Sequence, residues 1–177
     1  MKSKTKLKKT SELHIEPQAE GVITLLLKDH KAMRVLIKKI KSHRATSAQI
    51  KANFLLLKKL VRSHVKSEEF SLLNRINENP KFEDHANESK EEHHIHESVL
   101  KGIAQLSSPG RKITQMKIFC ELLEDHIDEE EEDLFPKFKK HAALRTRKKM
   151  GQLFLKKRIE THQKDEKLGA LKKVRIR

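Results

Sequence analysis

Two stretches that read alike decide the fold: His64-Val65-Lys66-Ser67-Glu68-Glu69, followed by Leu72-Leu73, and His126-Ile127-Asp128-Glu129-Glu130-Glu131, followed by Leu134-Phe135-Pro136. In each, a His and a Glu stand four residues apart, which on a helix places them one turn apart on the same face, about 6 Å along the axis. Both pairs fall on apolar stripes. The upstream stripe runs Ile50, Phe54, Leu57, Val61, His64, Glu68 and Leu72; the downstream one runs Met116, Phe119 or Cys120, Leu123, His126, Glu130 and Leu134. Apolar residues at spacings of three and four mark amphipathic helices.

Two further segments repeat the pattern with a single His each. Ile23, Leu26, His30, Met33, Ile37 and Ile40 form one stripe; His93, His96 or Glu97, Leu100 and Ile103 form the other. The connections are polar and short. Thr46, with Gln49 three residues later, fits a capping box at the start of the second helix. Asn77 to Asn87 is rich in Asn, Asp and Glu and contains Pro80, so it reads as a loop; Ser107-Ser108-Pro109-Gly110 is a strong break. Pro136 is expected to bend or end the fourth helix, because it removes a backbone donor. Gly is 5 and Pro 4 in 177 residues, few for a turn-rich sheet protein. The expectation is an all-α, antiparallel up-down-up-down four-helix bundle.

The inward polar residues carry the chemistry. A single core His is ordinarily a hydrogen-bonded interior residue. Six coincident polar positions, His30, His64, Glu68, His93, His126 and Glu130, are harder to accommodate. A buried ionised carboxylate is costly unless paired or bound to metal. Two carboxylates and four imidazoles converging from four helices need a common partner, and a metal pair satisfies them all. Each His would bind one metal while each Glu reaches between the two. The one cysteine, Cys120, rules out a Cys-based cluster and reads as a small core residue. Imidazole plus carboxylate suits iron, and the absence of thiolates argues against structural zinc. His-x-x-x-Glu on its own is weak: it also occurs at 93/97 and at 162/166, the latter in a basic segment with no apolar face.

With these flanks in place, the chain resembles the hemerythrin HHE cation-binding family over about residues 19–141. That family carries a His on helix one, His-x-x-x-Glu on helix two, a His on helix three, and a second His-x-x-x-Glu on helix four running into Leu-Phe-Pro, here Leu134-Phe135-Pro136. Lys28-Asp29-His30 is similar to its first-helix motif. The resemblance implies a non-haem di-iron centre, carboxylate- and oxo-bridged, on His30, His64, Glu68, His93, His126 and Glu130. On the third helix, His93 is favoured over His94: Val99, Leu100 and Ile103 follow it at the offsets at which Leu36, Ile37 and Ile40 follow His30. His96 is expected inward, His94 outward. Glu97, His96 and Glu92 are further candidates, as extra ligands or as groups orienting ligands. Oxygen-carrying hemerythrins place a fifth His where Glu97 stands. The departure weakens an oxygen-carrier reading and points toward members that sense iron or oxygen, or that repair iron centres; the repair members also have a cysteine-bearing N-terminal region, which this chain lacks.

The net charge of +15 is unevenly spread: residues 1–11 hold five Lys and no acid, while residues 137–177 hold 16 Lys and Arg against 3 acids. The organisation expected is a basic extension (1–18), the bundle (19–142) and a basic, helix-capable extension (143–177). The latter could dock on the bundle or on an anionic partner, nucleic acid or membrane surface. No Tyr or Trp interleaves its charges, which disfavours stacking on single-stranded bases. No apolar run reaches membrane-span or signal-peptide length, so the default expectation is a cytoplasmic protein. The functional expectation is a di-iron protein that binds or senses oxygen, nitric oxide or iron. The alternatives are a di-iron peroxidase, oxidase or nitric-oxide reductase, repair of iron centres, and a polyanion-binding adaptor whose metal is structural.

Overall fold

The computed structural model describes residues 20–174, with side chains to residue 165. The basic segment 1–18 lies outside the described residues. The rest is helical: α1 (Val22–Lys41), α2 (Ser47–Glu68), a π-helical turn (Glu69–Leu73) running into the short α3 (Asn74–Ile76), α4 (Glu83–Gln105), α5 (Pro109–Glu129), a second π-helical turn (Glu130–Leu134) running into α6 (Phe135–His141), and α7 (Leu144–Val174). No strand occurs among the described residues.

The helix starts follow local chemistry. Thr46 accepts from the Gln49 backbone N–H while the Gln49 side chain accepts from the Thr46 backbone, the anticipated capping box. Ser108 caps α5, with Pro109 in its first turn, where the missing N–H costs nothing. Two expectations need correction. The stretch 77–87 is a loop only as far as Phe82; α4 begins at Glu83, whose carboxylate and that of Asp84 suit the positive end of a helix. Pro136 does not end the fourth helix, which continues to His141. It lies in the first turn of α6, directly after the π-helical turn has shifted the hydrogen-bond register.

The core is split by a polar layer. One apolar cluster contains Val22, Leu26, Leu72, Leu73, Phe82, Leu134, Phe135 and Phe138; the other contains Met33, Ile37, Phe54, Leu57, Leu100, Phe119 and Leu123. His30, His64, Glu68, His93 and Glu130 fall between them along the chain, and His126 stands at the edge of the second, one residue before Ile127. α1 and α4 run from the first cluster to the second, whereas α2 and α5 run from the second to the first. Each helix therefore contributes its polar residues midway between the clusters.

The basic segment 143–177 is more than an appendage. α7 packs along α1, α2 and the first π-helical turn, burying Met150, Phe154 and Thr161. The apolar face that could have met a membrane or partner is thus partly occupied by the bundle. Gly151 permits the approach: a Cβ there would lie 2.1 Å from the Glu20 carbonyl oxygen. No helix among the described residues is long and apolar enough to cross a membrane.

Candidate metal centre

The six side chains singled out from the sequence meet in the polar layer, none more than 3 % exposed. They form two overlapping groups whose ligand-type atoms lie within 4.8 Å of one another: His30, His64 and Glu130 in one, Glu68, His93, His126 and Glu130 in the other. Glu130 is shared, with one oxygen 3.4 Å from His30 Nε2 and the other 3.7 Å from His126 Nε2. Glu68 reaches across as well: its Oε2 is 3.2 Å from His64 Nε2 and 3.7 Å from His93 Nε2. A pair of cations, each between two imidazoles, would place both carboxylates as bridges.

The atoms facing the centre are short of partners. Both oxygens of Glu68, both oxygens of Glu130, His93 Nε2 and His126 Nε2 are buried and accept or donate no hydrogen bond. His30 Nε2 and His64 Nε2 face each other at 3.3 Å. Buried polar groups left unpaired cost about 1–3 kcal/mol each, more when charged. So many in one place mark a site built for something positive.

The outward ring nitrogens are all engaged. His64 Nδ1 donates to Asp29 (3.1 Å), His93 Nδ1 to Glu69 (3.0 Å), His126 Nδ1 to Glu92 (2.5 Å) and His30 Nδ1 to Glu131 (3.0 Å). The pattern closes on itself. A carboxylate on α1 holds the His of α2, the first π-helical turn holds the His of α4, α4 holds the His of α5, and the second π-helical turn holds the His of α1. Each accepting carboxylate is the immediate neighbour in sequence of one of the six inward residues. Such partners fix the tautomer, turn Nε2 inward and raise its basicity toward a metal. Both π-helical turns begin at or one residue after the inward Glu of their helix, the placement in which such turns serve function.

The electrostatics agree. Burial works against a charged His64, but Asp29 and Glu68 overcome it and lift its pKa to about 10. At His126 burial is likewise outweighed, by Glu130 and Glu92, and its pKa rises to about 9. Burial alone would raise the Glu130 pKa, yet the surrounding imidazoles, His126 foremost, draw it well below the usual carboxylate range. Without metal, protons on imidazole supply the positive charge that the carboxylates demand.

The further candidates divide. Glu92 accepts from His126 Nδ1. His96 is buried, with its ring 5.2 Å from that of His126, but stands outside both groups; burial, then the charges of His126 and His93, push its pKa down to about 4. Glu97 is corrected: its side chain is 65 % exposed and pairs with Lys101 at 3.0 Å. Glu92 and Glu97 lie on opposite flanks of the buried stripe of α4. The flank of Glu92 meets α5, whereas that of Glu97 edges an open groove toward α2. This groove, about 430 Å³ in volume, has Val61, Val65, His93 and His96 in its wall. His94 is exposed, as expected.

Sequence reasoning gave no role to Asp29, Glu69 and Glu131, although adjacency to an inward residue was a signal in plain view. It also passed over the covering aromatics: Phe135 stacks on His30 at 5.5 Å, and Phe154 meets His64 edge-on at 6.4 Å.

The hemerythrin HHE cation binding domain matches residues 21–138. The chain belongs to the hemerythrin family. Searches of curated proteins and of solved structures return no significant match. The matched span of this hemerythrin domain runs from α1 into α6 and stops short of α7, so the long C-terminal helix lies outside the matched family core. Its buried His/Glu cluster is compatible with metal binding.

Proposed function

We propose that the chain holds a non-haem di-iron centre on His30, His64, Glu68, His93, His126 and Glu130, and that it binds or senses oxygen, nitric oxide or iron. In this reading α1, α2, α4 and α5 form an antiparallel up-down-up-down bundle; the alternating order in which they pass the two apolar clusters supports it. The observation that carries the proposal is the set of orphaned inward atoms of Glu68, His93, His126 and Glu130, with each of the four imidazoles braced from behind by a carboxylate. Four imidazoles and two bridging carboxylates form a donor set that suits iron, and the lack of a thiolate removes the ligand that favours soft metals.

Iron bound here would supply redox chemistry and an open coordination position for a small molecule. The chain's own residues do the rest. Glu68 and Glu130 set the separation of the two sites, the ring of outer carboxylates fixes the imidazoles, and Phe135 and Phe154 exclude water from the His30 and His64 side. The groove beside His93 is an entry for a ligand of diatomic size.

Metal analysis and visible spectra of the aerobically purified protein, then under nitric oxide, test the reading. It requires about two irons per chain, near-ultraviolet bands from a bridged pair, and a spectral change with one of the two gases. The double variant His64→Ala/His126→Ala should lose iron; two irons retained would overturn the ligand set. Steady consumption of peroxide or nitric oxide would make the protein a di-iron oxidoreductase instead of a binder or sensor.

A further inference from the structure

The helix outside the family core reaches the centre. Arg158, on α7, donates from Nη2 to Asp29 Oδ2. The same oxygen accepts from His64 Nδ1. Asp29 is the most buried of the four outer carboxylates: its side chain is 7 % exposed, against 28–32 % for Glu69, Glu92 and Glu131. A carboxylate so withdrawn from water needs a cation as well as an imidazole. Glu131 also meets a guanidinium, that of Arg34, but through its other oxygen at 3.4 Å, and Arg34 is half-exposed and bonded to Asp128 at 2.6 Å.

Arg158 is itself held. Its guanidinium carbon lies 4.4 Å from the centroid of the Phe154 ring, and Phe154 is fully buried against His64. The close approach at Gly151 sets α7 against the start of α1, and Arg62 to Asp165 at 3.4 Å ties its later turns to α2. Arg158, Asp29 and His64 thus form a relay running from α7 through α1 to α2.

We propose that Arg158 is a positioning residue for the centre, and that α7 acts through it on one of the two metal sites. Resting on the di-iron reading, the inference adds what that reading lacks: a physical reason for the two sites to differ in how firmly their imidazoles are held. The guanidinium fixes the Asp29 carboxylate and so the plane of the His64 ring. The site of His30 and His64 is tightened by α7 through Arg158; His93 and His126 are held by Glu69 and Glu92 instead.

The test uses the full chain loaded anaerobically with Fe(II) and follows iron release to a ferrous chelator. Wild type is compared with Arg158→Leu, Arg158→Lys, Asp29→Asn and the double variant Asp29→Asn/Arg158→Leu. Loss of a group that orients a ligand weakens metal binding about 10–100-fold, so Arg158→Leu should release one iron of the two about tenfold faster and leave the other unchanged. Arg158→Lys should recover part of the loss, since an ammonium supplies the charge but not the fork. The double variant should be no faster than Asp29→Asn alone, because Arg158 acts through Asp29. Thermal unfolding of the metal-free forms, run alongside, registers any purely structural role, which would lower the melting temperature without splitting the two irons. Equal acceleration of both irons, acceleration of neither, or additive effects in the double variant would overturn the inference while leaving the di-iron centre standing. A wild type that takes up no iron would remove both.

Discussion

Consider Glu68→Met, which keeps length and volume while deleting a carboxylate. Glu68 is fully buried, and neither oxygen makes a hydrogen bond. Its nearest neighbours in the centre are His64 Nε2 at 3.2 Å and His93 Nε2 at 3.7 Å. Both imidazoles keep a carboxylate partner of their own, Asp29 and Glu69, so neither ring is stranded when Glu68 is removed. Removing the unsatisfied carboxylate should then stabilise the metal-free protein by about 1–3 kcal/mol. With metal the order reverses. Metal at 100 times its dissociation constant adds about 2.7 kcal/mol to the wild type, and on the proposed di-iron reading the variant, lacking one carboxylate ligand, gains far less. The assay is denaturant unfolding at pH 8, with chelator and again with anaerobic Fe(II). A metal-free variant destabilised by about 3–5 kcal/mol, the cost of breaking a buried ion pair, would show that Glu68 anchors His64 and His93 structurally, and the metal-site argument would fail at its centre.

Other outcomes follow from the same geometry. The raised pKa values of His64 (about 10) and His126 (about 9), against an ordinary 6.5, mean that their contribution to stability is complete below about pH 6.5 and is lost as pH climbs through 9 to 10. The denaturation midpoint of the metal-free protein should therefore fall between pH 7 and 10, and Asp29→Asn should flatten that limb; a flat wild-type profile would contradict it. Gly151→Ala should lower the melting temperature despite the better helix propensity of Ala, because overpacking against the Glu20 carbonyl, typically about 1–3 kcal/mol, exceeds a propensity gain of about 1 kcal/mol. An unchanged or higher melting temperature would mean that α7 does not dock there. Cys120 is fully buried, and burial pushes its thiol up to about 12. The native protein should resist a thiol-directed reagent and react only as fast as it unfolds; rapid labelling at pH 8 would refute this placement.

The six inward residues were legible because each depends on helical periodicity. His64 with Glu68 and His126 with Glu130 share a face by spacing alone, and the apolar neighbours three and four residues away say which face is buried. His93 was separable from His94 by the same arithmetic. The capping box at Thr46 and the start at Pro109 are equally local. Loop boundaries were harder: the acidic run after Pro80 has a loop's composition but also suits a helix N-terminus, and only the fold shows it taking the second role.

What periodicity leaves open is everything that crosses between helices. Asp29 braces a His 35 residues away, Glu131 one 101 residues away, and Arg158 reaches Asp29 over 129 residues. Sequence marks these groups only as polar neighbours of inward residues or as one charge in a basic segment. Glu92 and Glu97 are both within reach of the buried stripe by spacing, yet one holds His126 and the other pairs with Lys101 in solvent, because α5 covers one flank of α4 and a groove borders the other. The sequence by itself determined which side chains turn inward, since that is a property of each helix alone. The tertiary structure decided which of them meet, what braces them from behind, and that the basic C-terminal helix packs into the centre's wall, since those depend on how separate helices lie against one another.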